Sequence, residues 1–558
     1  VSLPAEPSGA GATRRPATPI ADVVLVVVCV ATIAFFLAEL CTFGYGRDQG
    51  IYAMVARAVL AGKMPYRDAW DFKPPGIFVV YALSRALLGS GEAGIRVVEA
   101  AGMAAMVAAM VRLAGLWWGD RRIGLLAGVV AVIAHVQLDF WHTAQPESFG
   151  GMLTIFALLA LGPAMAGAPE DTAARLADRD APRRLVIAGT LFGCAGLLKP
   201  PLAGGGAVVA AALGLRVLAA EGALTVRSLR AALRPAAFVL AGGAAPFAVC
   251  LAWFWAKGAL GSLWDVLFVF TPRYTALSWV GETLTGMAYW GFTEWLCTYS
   301  SLPTVGFLLC LGFPRAPRER FGVGVVGAII ALHVVGVIMQ GKFFPYHYGA
   351  TWPLTALLAG LGFFRLWERA APWGPAGVGA FLVAAVVAAL GRSATKDTET
   401  SFYQRTMDRI SIYTHSPRDQ AALDRLASVA DVNAGANREV AAFLRARVPA
   451  DRTVFVWGFE PVIYDWADRT PATRYLYDVP QRVAWARDEA RAVLMRDLDA
   501  GRPAAIVVEH RDVFPMVTGD AIDSADTLKR FGALTALIEG RYERATTIED
   551  FDVYLERP

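Results

Sequence analysis

The stretch from Tyr45 to Gly76, Y-G-R-D-Q-G-I-Y-A-M-V-A-R-A-V-L-A-G-K-M-P-Y-R-D-A-W-D-F-K-P-P-G, gathers Asp48, Asp68 and Asp71 with Arg47, Arg57, Lys63, Arg67 and Lys73. Carboxylates can move protons, and cations can hold developing negative charge. So much charge directly after an apolar run marks a site rather than a passive connection. Further on, Glu147 stands in T-A-Q-P-E-S-F, Lys199 in L-L-K-P-P-L, and Lys342 and His347 in G-K-F-F-P-Y-H-Y, each at the end of an apolar run. Carboxylates and cations at a membrane surface suit chemistry on an amphipathic substrate. A lipid-linked phosphate whose tail stays in the bilayer is one such substrate.

The elements that must position these residues are membrane helices. The chain has 558 residues, 56% hydrophobic and only 18% charged, with a mean hydropathy of +0.45. That balance is too apolar for a soluble protein and points to a polytopic α-helical membrane protein. The net charge of +4 is small, and no nucleic-acid partner is expected. Five cysteines (Cys29, Cys41, Cys194, Cys250, Cys310) lie in or at the edge of apolar runs and Cys297 beside one. None follows residue 310, so the polar C-terminal part can contain no disulfide. Residues 1–20, with Arg14-Arg15 and no periodicity, read as a disordered cytoplasmic N-terminus. The run Ala21 to Phe36 is long for a signal peptide and no clear A-x-A site follows, so it reads as an uncleaved first span.

Apolar runs predict spans near 21–42, 94–118, 122–138, 149–167, 184–198, 203–219, 236–256, 301–314, 322–340, 349–366 and 373–391, with 301–314 short. One more apolar run, Pro75 to Leu88, decides the sidedness of all that follows. If it does not cross, Arg14, Arg15, Arg121, Arg122, Arg175, Arg179, Arg183, Arg184, Arg227, Arg230, Arg234, Arg315, Arg318, Arg320, Arg365 and Arg369 all fall on the cytoplasmic side. The positive-inside bias favours that arrangement. The run 75–88 is therefore placed as a helix in the outer interface, opened by Pro74-Pro75. This gives a transmembrane module over 21–391 with about 11 transmembrane helices. Large loops face outward at 43–93 and 257–300, with short ones at 139–148, 199–202 and 341–348. Residues 392–558 shift to Asp, Glu and Arg and read as an extracytoplasmic soluble α/β domain. Its patterns predict helices over 418–447, 482–499 and 524–538 and strands over Val454–Trp457, Ala504–Glu509 and Asp552–Leu555. No internal repeat shows, which weighs against an inverted-repeat transporter.

The order Asp48-Gln49, Tyr52, Tyr66, Trp70, Lys73-Pro74-Pro75, Leu88-Gly89 and Arg96 resembles the first outer loop of the GT-C superfamily of membrane glycosyltransferases. The protein O-mannosyltransferase, aminoarabinose-transferase and Rgt-like branches are the nearest in pattern. The likeness covers roughly residues 20–350, and the first loop is its specific part. Glu147 occupies the place where the family has a second acidic residue. Gln49 departs from the pattern, because many members have Glu there.

The resemblance implies a GT-C fold and transfer of a sugar from a polyprenyl-phosphate-linked donor to a lipid, glycan or protein acceptor of the envelope. The place implied is a bacterial inner membrane, with the active site and C-terminal domain on its periplasmic side. Membrane lipids are the other partners. No D-x-D or Rossmann-type nucleotide-sugar segment stands out, in keeping with a lipid donor. Asp48 is then the general base of an inverting attack; as an exposed helix N-cap it has an equally ordinary structural use. Lys73 stabilises the leaving phosphate or meets lipid headgroups. Glu147 acts with Asp48, binds the acceptor or helps hold a divalent cation, unless it is a solvated loop carboxylate. Lys199 and Lys342 bind the donor phosphate or anchor span ends by snorkelling. His347 contacts phosphate or sugar, or joins Phe344, Tyr346 and Tyr348 in an aromatic belt. Gln49, Tyr52, Tyr66 and Arg96, the remaining motif positions, are expected to bind substrate.

Arg57, about two and a half turns beyond Asp48, is expected to face away toward headgroups, and His135 to be a packed polar residue. No H-x-x-x-H or similar metal signature occurs, so no metal ligand is assigned and a divalent cation stays open. In the C-terminal domain Trp457, Tyr464, Arg469 and Arg474 contact a glycan, or the domain is a structural cap. A flippase for a lipid-linked sugar and a non-catalytic scaffold are the competing readings; Gln49 keeps the scaffold in play.

Overall fold

The computed structural model describes residues 19–297, 300–314, 316–391, 401–429 and 432–558. The disordered terminus expected for residues 1–20 lies outside them except for Pro19 and Ile20, which open the first helix. The chain begins α1 Pro19–Leu40, α2 Arg47–Leu60, α3 Gly76–Leu88, α4 Glu92–Trp118, α5 Arg121–Val136, the single turn α6 Asp139–His142, and α7 Pro146–Met165. The bundle continues with Ala181–Leu198, Gly204–Glu221, Val226–Ala256, Ser301–Gly312, Pro317–Gln340, Trp352–Ala370 and Pro375–Leu390. Every run expected to span is helical, and among the described residues seven of the helices are long and apolar enough to cross by themselves. Large apolar side chains such as Leu240, Val249, Trp255 and Val387 point outward, which is stable in hydrocarbon and costly in water. The protein is a polytopic α-helical membrane protein. The connection 257–300 is itself helical, including Leu260–Trp264, a π-helical turn Asp265–Phe270 and Leu284–Cys297.

Small residues set how closely the helices pack. A Cβ at Gly189 would lie 2.1 Å from the Val239 carbonyl oxygen, and one at Gly242 2.2 Å from that of Val186, so helices 181–198 and 226–256 touch backbone to backbone. Both ends of α3 stay at the end of the bundle that carries the C-terminal domain. Lys73, just before it, lies in the candidate site described below, and Arg85 near its end pairs with Asp465 at 3.0 Å.

The C-terminal domain is a five-stranded sheet in the order β2-β1-β3-β5-β4, with β1 Thr453–Trp457, β2 Thr470–Pro471, β3 Ala505–Glu509, β4 Tyr542–Ile548 and β5 Phe551–Glu556. β1 runs parallel to β2 and β3, and β5 pairs antiparallel with β3 and β4. β1 and β3 are almost wholly buried and read as continuous apolar runs, which is how central parallel strands read. β4 escapes sequence reading because only its two ends are buried; it is a polar edge. The helix expected over 418–447 is two, Gln420–Leu426 and Ala434–Arg447, because Asn433 caps the second by accepting the Ala436 N–H at 3.0 Å. The helix expected from 482 begins at Arg487, since Arg482 closes a separate turn, Val479–Arg482. The one expected over 524–538 breaks into Ser524–Lys529 and Gly532–Arg541.

Candidate active site

α2 delivers Asp48. Its cap is Gly46, so Asp48 lies inside the first turn and is not the N-cap. Gln49 pins that turn from behind: its Nε2 donates to the carbonyls of Phe140 (3.1 Å), Trp141 (3.1 Å) and Thr143 (2.7 Å), while its Oε1 accepts the Gly46 N–H at 3.0 Å. A carboxylate here would face three carbonyl oxygens with no hydrogen to give. That accounts for Gln where the resemblance leads one to expect Glu. The Asp48 carboxylate itself is 22% exposed; its Oδ2 is 3.5 Å from Lys73 Nζ and accepts from Gln145 Nε2 at 3.3 Å. The Tyr346 hydroxyl is also its hydrogen-bond partner.

Lys73 reaches this point because α3 starts against the end of helix 181–198. A Cβ at Gly76 would lie 2.7 Å from the Leu197 carbonyl oxygen, so only glycine permits the approach that brings Lys73 toward Lys199. Lys73 Nζ donates to the Tyr346 hydroxyl at 3.2 Å, and its carbonyl accepts from the Tyr66 hydroxyl at 2.8 Å. Burial pulls the Lys73 ammonium down, but Asp48, Glu147 and Asp71 more than offset this and hold it above its ordinary range. Asp71, fully buried, is pushed up to about 6 by burial, against the pull of Lys73 and a hydrogen bond from the Tyr477 hydroxyl.

Glu147 opens α7 and pairs with Lys199, Oε1 to Nζ 2.6 Å. It is 1% exposed and so is no solvated loop carboxylate; the lysine approaches off-axis, and neither Glu147 oxygen receives a well-directed hydrogen bond. Lys199 and Lys342 turn inward rather than snorkelling. Burial lowers the Lys199 ammonium despite its glutamate partner. Burial, with repulsion from Lys73, lowers Lys342 to about 8. Lys342 Nζ sits 3.9 Å over the Tyr274 ring and donates to the Met516 carbonyl at 2.5 Å. His347 is pulled well below its ordinary value by burial and then by Lys199, Lys73 and Lys342, so it is neutral, and its buried Nδ1 has no hydrogen-bond partner.

Lys73, Lys199, Lys342, Tyr346 and His347 form one end of a cavity of about 490 Å³. The rest of its wall is mostly apolar, including Phe72, Phe247, Leu251, Leu263 and Phe268, and it runs between helix 226–256 and the helical connection after it. In the membrane module the non-glycine residues with positive φ, among those described, are Tyr66, Asp139, Ala144 and Phe343. Each flanks a segment that feeds this cluster, as stored backbone strain often does.

The remaining expected contacts fall elsewhere. Tyr52, Tyr66 and Arg96 are buried behind the cavity: Tyr52 donates to Gln145 at 2.9 Å, and Arg96 binds Glu99, Thr143 and the carbonyls of Gly44 and Phe140. With Gln49 they hold the segments that carry Asp48, Gln145 and Lys73, and none lines the cavity. Arg57 faces away as expected but meets Asp468 at 3.0 Å rather than headgroups. His135 pairs with Glu99 at 2.9 Å. Trp457, Tyr464 and Arg469 are buried and bonded to backbone, so they are unavailable to a glycan; Arg474 lines a second cavity of about 810 Å³, of mixed polar and apolar lining. Among the described residues no three His, Cys, Asp or Glu converge as metal ligands, and lysines face Asp48 and Glu147 where a cation would sit. This donor set does not suit a divalent ion. Sequence reasoning missed Asp71, Gln145 and Tyr477 as parts of the cluster. Tyr477 lies in the Y-L-Y string of the C-terminal domain, which nothing local ties to Lys73.

The architecture is the GT-C fold. The crystal structure of ArnT from Cupriavidus metallidurans bound to undecaprenyl phosphate aligns with a TM-score of 0.53 at 16% identity, over 96% of this chain and 98% of that one. The apo form of that protein aligns over the same shares of both chains with a TM-score of 0.56 and 16% identity. A looser likeness, TM-score 0.44 and 12% identity over 96% of this chain and 74% of the other, is to the Archaeoglobus fulgidus oligosaccharyltransferase tethered with an acceptor peptide. No protein-family model matches the chain, and no curated protein matches it.

Proposed function

We propose that this protein is a glycosyltransferase that moves a sugar from a polyprenyl-phosphate donor to a hydroxyl or amine of an envelope acceptor, at the outer face of the membrane. The observation that carries the reading is the two-part cavity. A buried lysine cluster suits a phosphate, the apolar wall suits a polyprenyl tail, and Asp48 stands 3.5 Å from Lys73, which lines the cavity. ArnT from Cupriavidus metallidurans, one of the structures of similar fold, was crystallised bound to undecaprenyl phosphate.

In the reaction, Asp48 takes the acceptor's proton as the acceptor attacks the anomeric carbon. The bond from that carbon to the phosphate oxygen breaks on the opposite side, so the anomeric centre inverts. Lys73, with Lys199 and Lys342, meets the charge that grows on the leaving phosphate. His347, neutral, is left with a hydrogen-bonding nitrogen for a phosphate or sugar oxygen. Glu147 holds Lys199 in the cluster.

The test is release of polyprenyl phosphate by the purified protein from a panel of polyprenyl-phosphate sugars with candidate acceptors. Asp48→Asn is expected to slow turnover about 10²–10⁴-fold. Equal turnover in Asp48→Asn would sink the base assignment, and no turnover by the wild type with any donor would favour a scaffold.

A further inference from the structure

Besides the Lys342–Met516 contact at the cavity, the C-terminal domain touches the site at two places, each directly behind one reacting group. At the first, Arg47, the residue before Asp48, points away from the cavity into that domain. Its guanidinium is 2% exposed; Nε lies 3.0 Å and Nη2 2.8 Å from Glu460 Oε1, with Glu509 Oε1 at 4.0 Å. Phe459, Phe514 and Trp141 surround it at 4.7, 4.5 and 5.7 Å. Glu460 is fixed in turn by Asn437 Nδ2 at 2.8 Å. Glu460 follows β1 and Glu509 ends β3, so both stand at the carboxyl ends of parallel strands, where α/β domains place functional loops. A Cβ at Gly50 would lie 3.1 Å from the Val462 backbone, so the same turn of α2 also packs against this domain.

At the second place, Tyr477 donates to Asp71 Oδ1 at 2.7 Å, and Asp71 Oδ2 accepts the Lys73 N–H at 3.4 Å. Next to it the Trp70 N–H donates to the Arg474 carbonyl at 2.8 Å, which joins the segment 70–73 to the domain by its backbone. The two contacts therefore stand behind different parts of the chemistry, the base at one and the donor lysine at the other.

We infer that the C-terminal domain is a working part of the active site. The Arg47–Glu460 pair positions Asp48 for the chemical step, and the Tyr477–Asp71 pair positions Lys73 for the donor phosphate. Arg47, Glu460, Asp71 and Tyr477 are positioning residues. A helical turn moves as a unit, so loss of the Arg47 anchor shifts Asp48 against the reacting atoms, where about 1 Å is worth about 10²-fold in rate. The inference rests on the proposed glycosyl transfer, and it divides one domain's effect between kcat and KM.

The experiment uses the full chain in nanodiscs, assayed for polyprenyl phosphate release, with binding of polyprenyl phosphate alone followed by thermal shift. Arg47→Met and Glu460→Gln are expected to lower kcat about 10- to 100-fold while KM and lipid affinity stay within about twofold. The double variant should be no slower than the slower single, because each change breaks the same pair. Tyr477→Phe is expected to raise KM and weaken lipid binding about three- to tenfold with kcat within about twofold. If the Arg47 and Glu460 singles fail to fold, the swap Arg47→Glu with Glu460→Arg replaces them, and recovery of kcat above either swapped single supports the pair. The inference is overturned if kcat stays at the wild-type level in folded Arg47→Met and Glu460→Gln, or if their effects multiply. It is overturned equally if Tyr477→Phe leaves KM unchanged. Asp48→Asn separates the two readings. If it turns over like the wild type, the proposed base fails; if it is impaired while the Arg47 and Glu460 variants keep the wild-type kcat, only this inference fails.

Discussion

Two buried charge clusters lie close together in this protein and behave oppositely. The first sets Lys73, Lys199 and Lys342 against Asp48, Glu147 and Asp71 and opens on a cavity with apolar walls. There burial pulls two of the three lysines, Lys199 and Lys342, toward the neutral form, although it also pushes the Asp71 carboxyl up. The second, where α2 meets the C-terminal domain, sets Arg47 and Arg482 against Glu460, Glu509, Asp478 and Asp512. There the strain falls on carboxylates: burial first, then Asp512 and Glu460, push Glu509 well up, and burial with Asp478 pushes Asp512 up. A cluster with under-neutralised lysines gains by taking an anion from outside. One with crowded carboxylates gains by keeping a proton. The first is built as a binding site and the second as a fastening.

The largest expected break in this comparison is Lys73→Met. It removes the cation nearest Asp48 and should lower kcat/KM for a polyprenyl-phosphate sugar about 10²–10³-fold, while leaving the domain contacts in place. A loss below tenfold would show that the first cluster does not bear the leaving charge.

A smaller effect follows from pH. Lys342, lowered to about 8, is cationic below that value and neutral above it. Polyprenyl phosphate affinity should therefore weaken severalfold as pH rises through about 8, and Lys342→Met should be weaker throughout and flat over that range. A wild-type profile as flat as that of the variant would remove Lys342 from the phosphate site.

The smallest effect concerns stability. The Glu509 and Asp512 carboxyls are raised in the fold above the ordinary unfolded values near 4. The folded state thus binds protons that the unfolded chain releases, so this stabilisation is full below about pH 4 and is lost as pH rises through the raised values. These two groups favour the acid end between pH 5 and pH 8, so the Tm of Glu509→Gln should fall less, or rise more, toward pH 8 than that of the wild type. A slope unchanged in that variant would show that the second cluster holds no proton.

Much of the first cluster was legible in the chain. Asp48, Lys73, Glu147, Lys199, Lys342 and His347 each flank an apolar run, and span ends on one face of a bundle are brought together by topology alone. What stayed hidden was which of them touch. Glu147 looked available to Asp48, yet its partner is Lys199. The motif positions Gln49, Tyr52, Tyr66 and Arg96 looked like substrate contacts, yet their polar groups are used up by backbone and neighbouring side chains. A motif records that a residue type is needed, and support of a catalytic segment needs it as much as contact with a ligand does. In the C-terminal domain the apolar strands β1 and β3 were readable from their own residues. The edge strand β4 was not, because its pairing rather than its composition makes it a strand.

By itself the amino-acid sequence determined that this is a membrane bundle with an α/β domain after it and that charge gathers at the ends of its spans. Hydropathy and charge act over a few residues and need no distant partner to be read. Tertiary structure alone decided that Gln49 is a pin, that three lysines share one cavity, and that the C-terminal domain reaches behind both Asp48 and Lys73. The pairs that settle this, Arg47 with Glu460 and Asp71 with Tyr477, are 413 and 406 residues apart in the chain. Only the packing of one domain on the other brings such groups to hydrogen-bond distance.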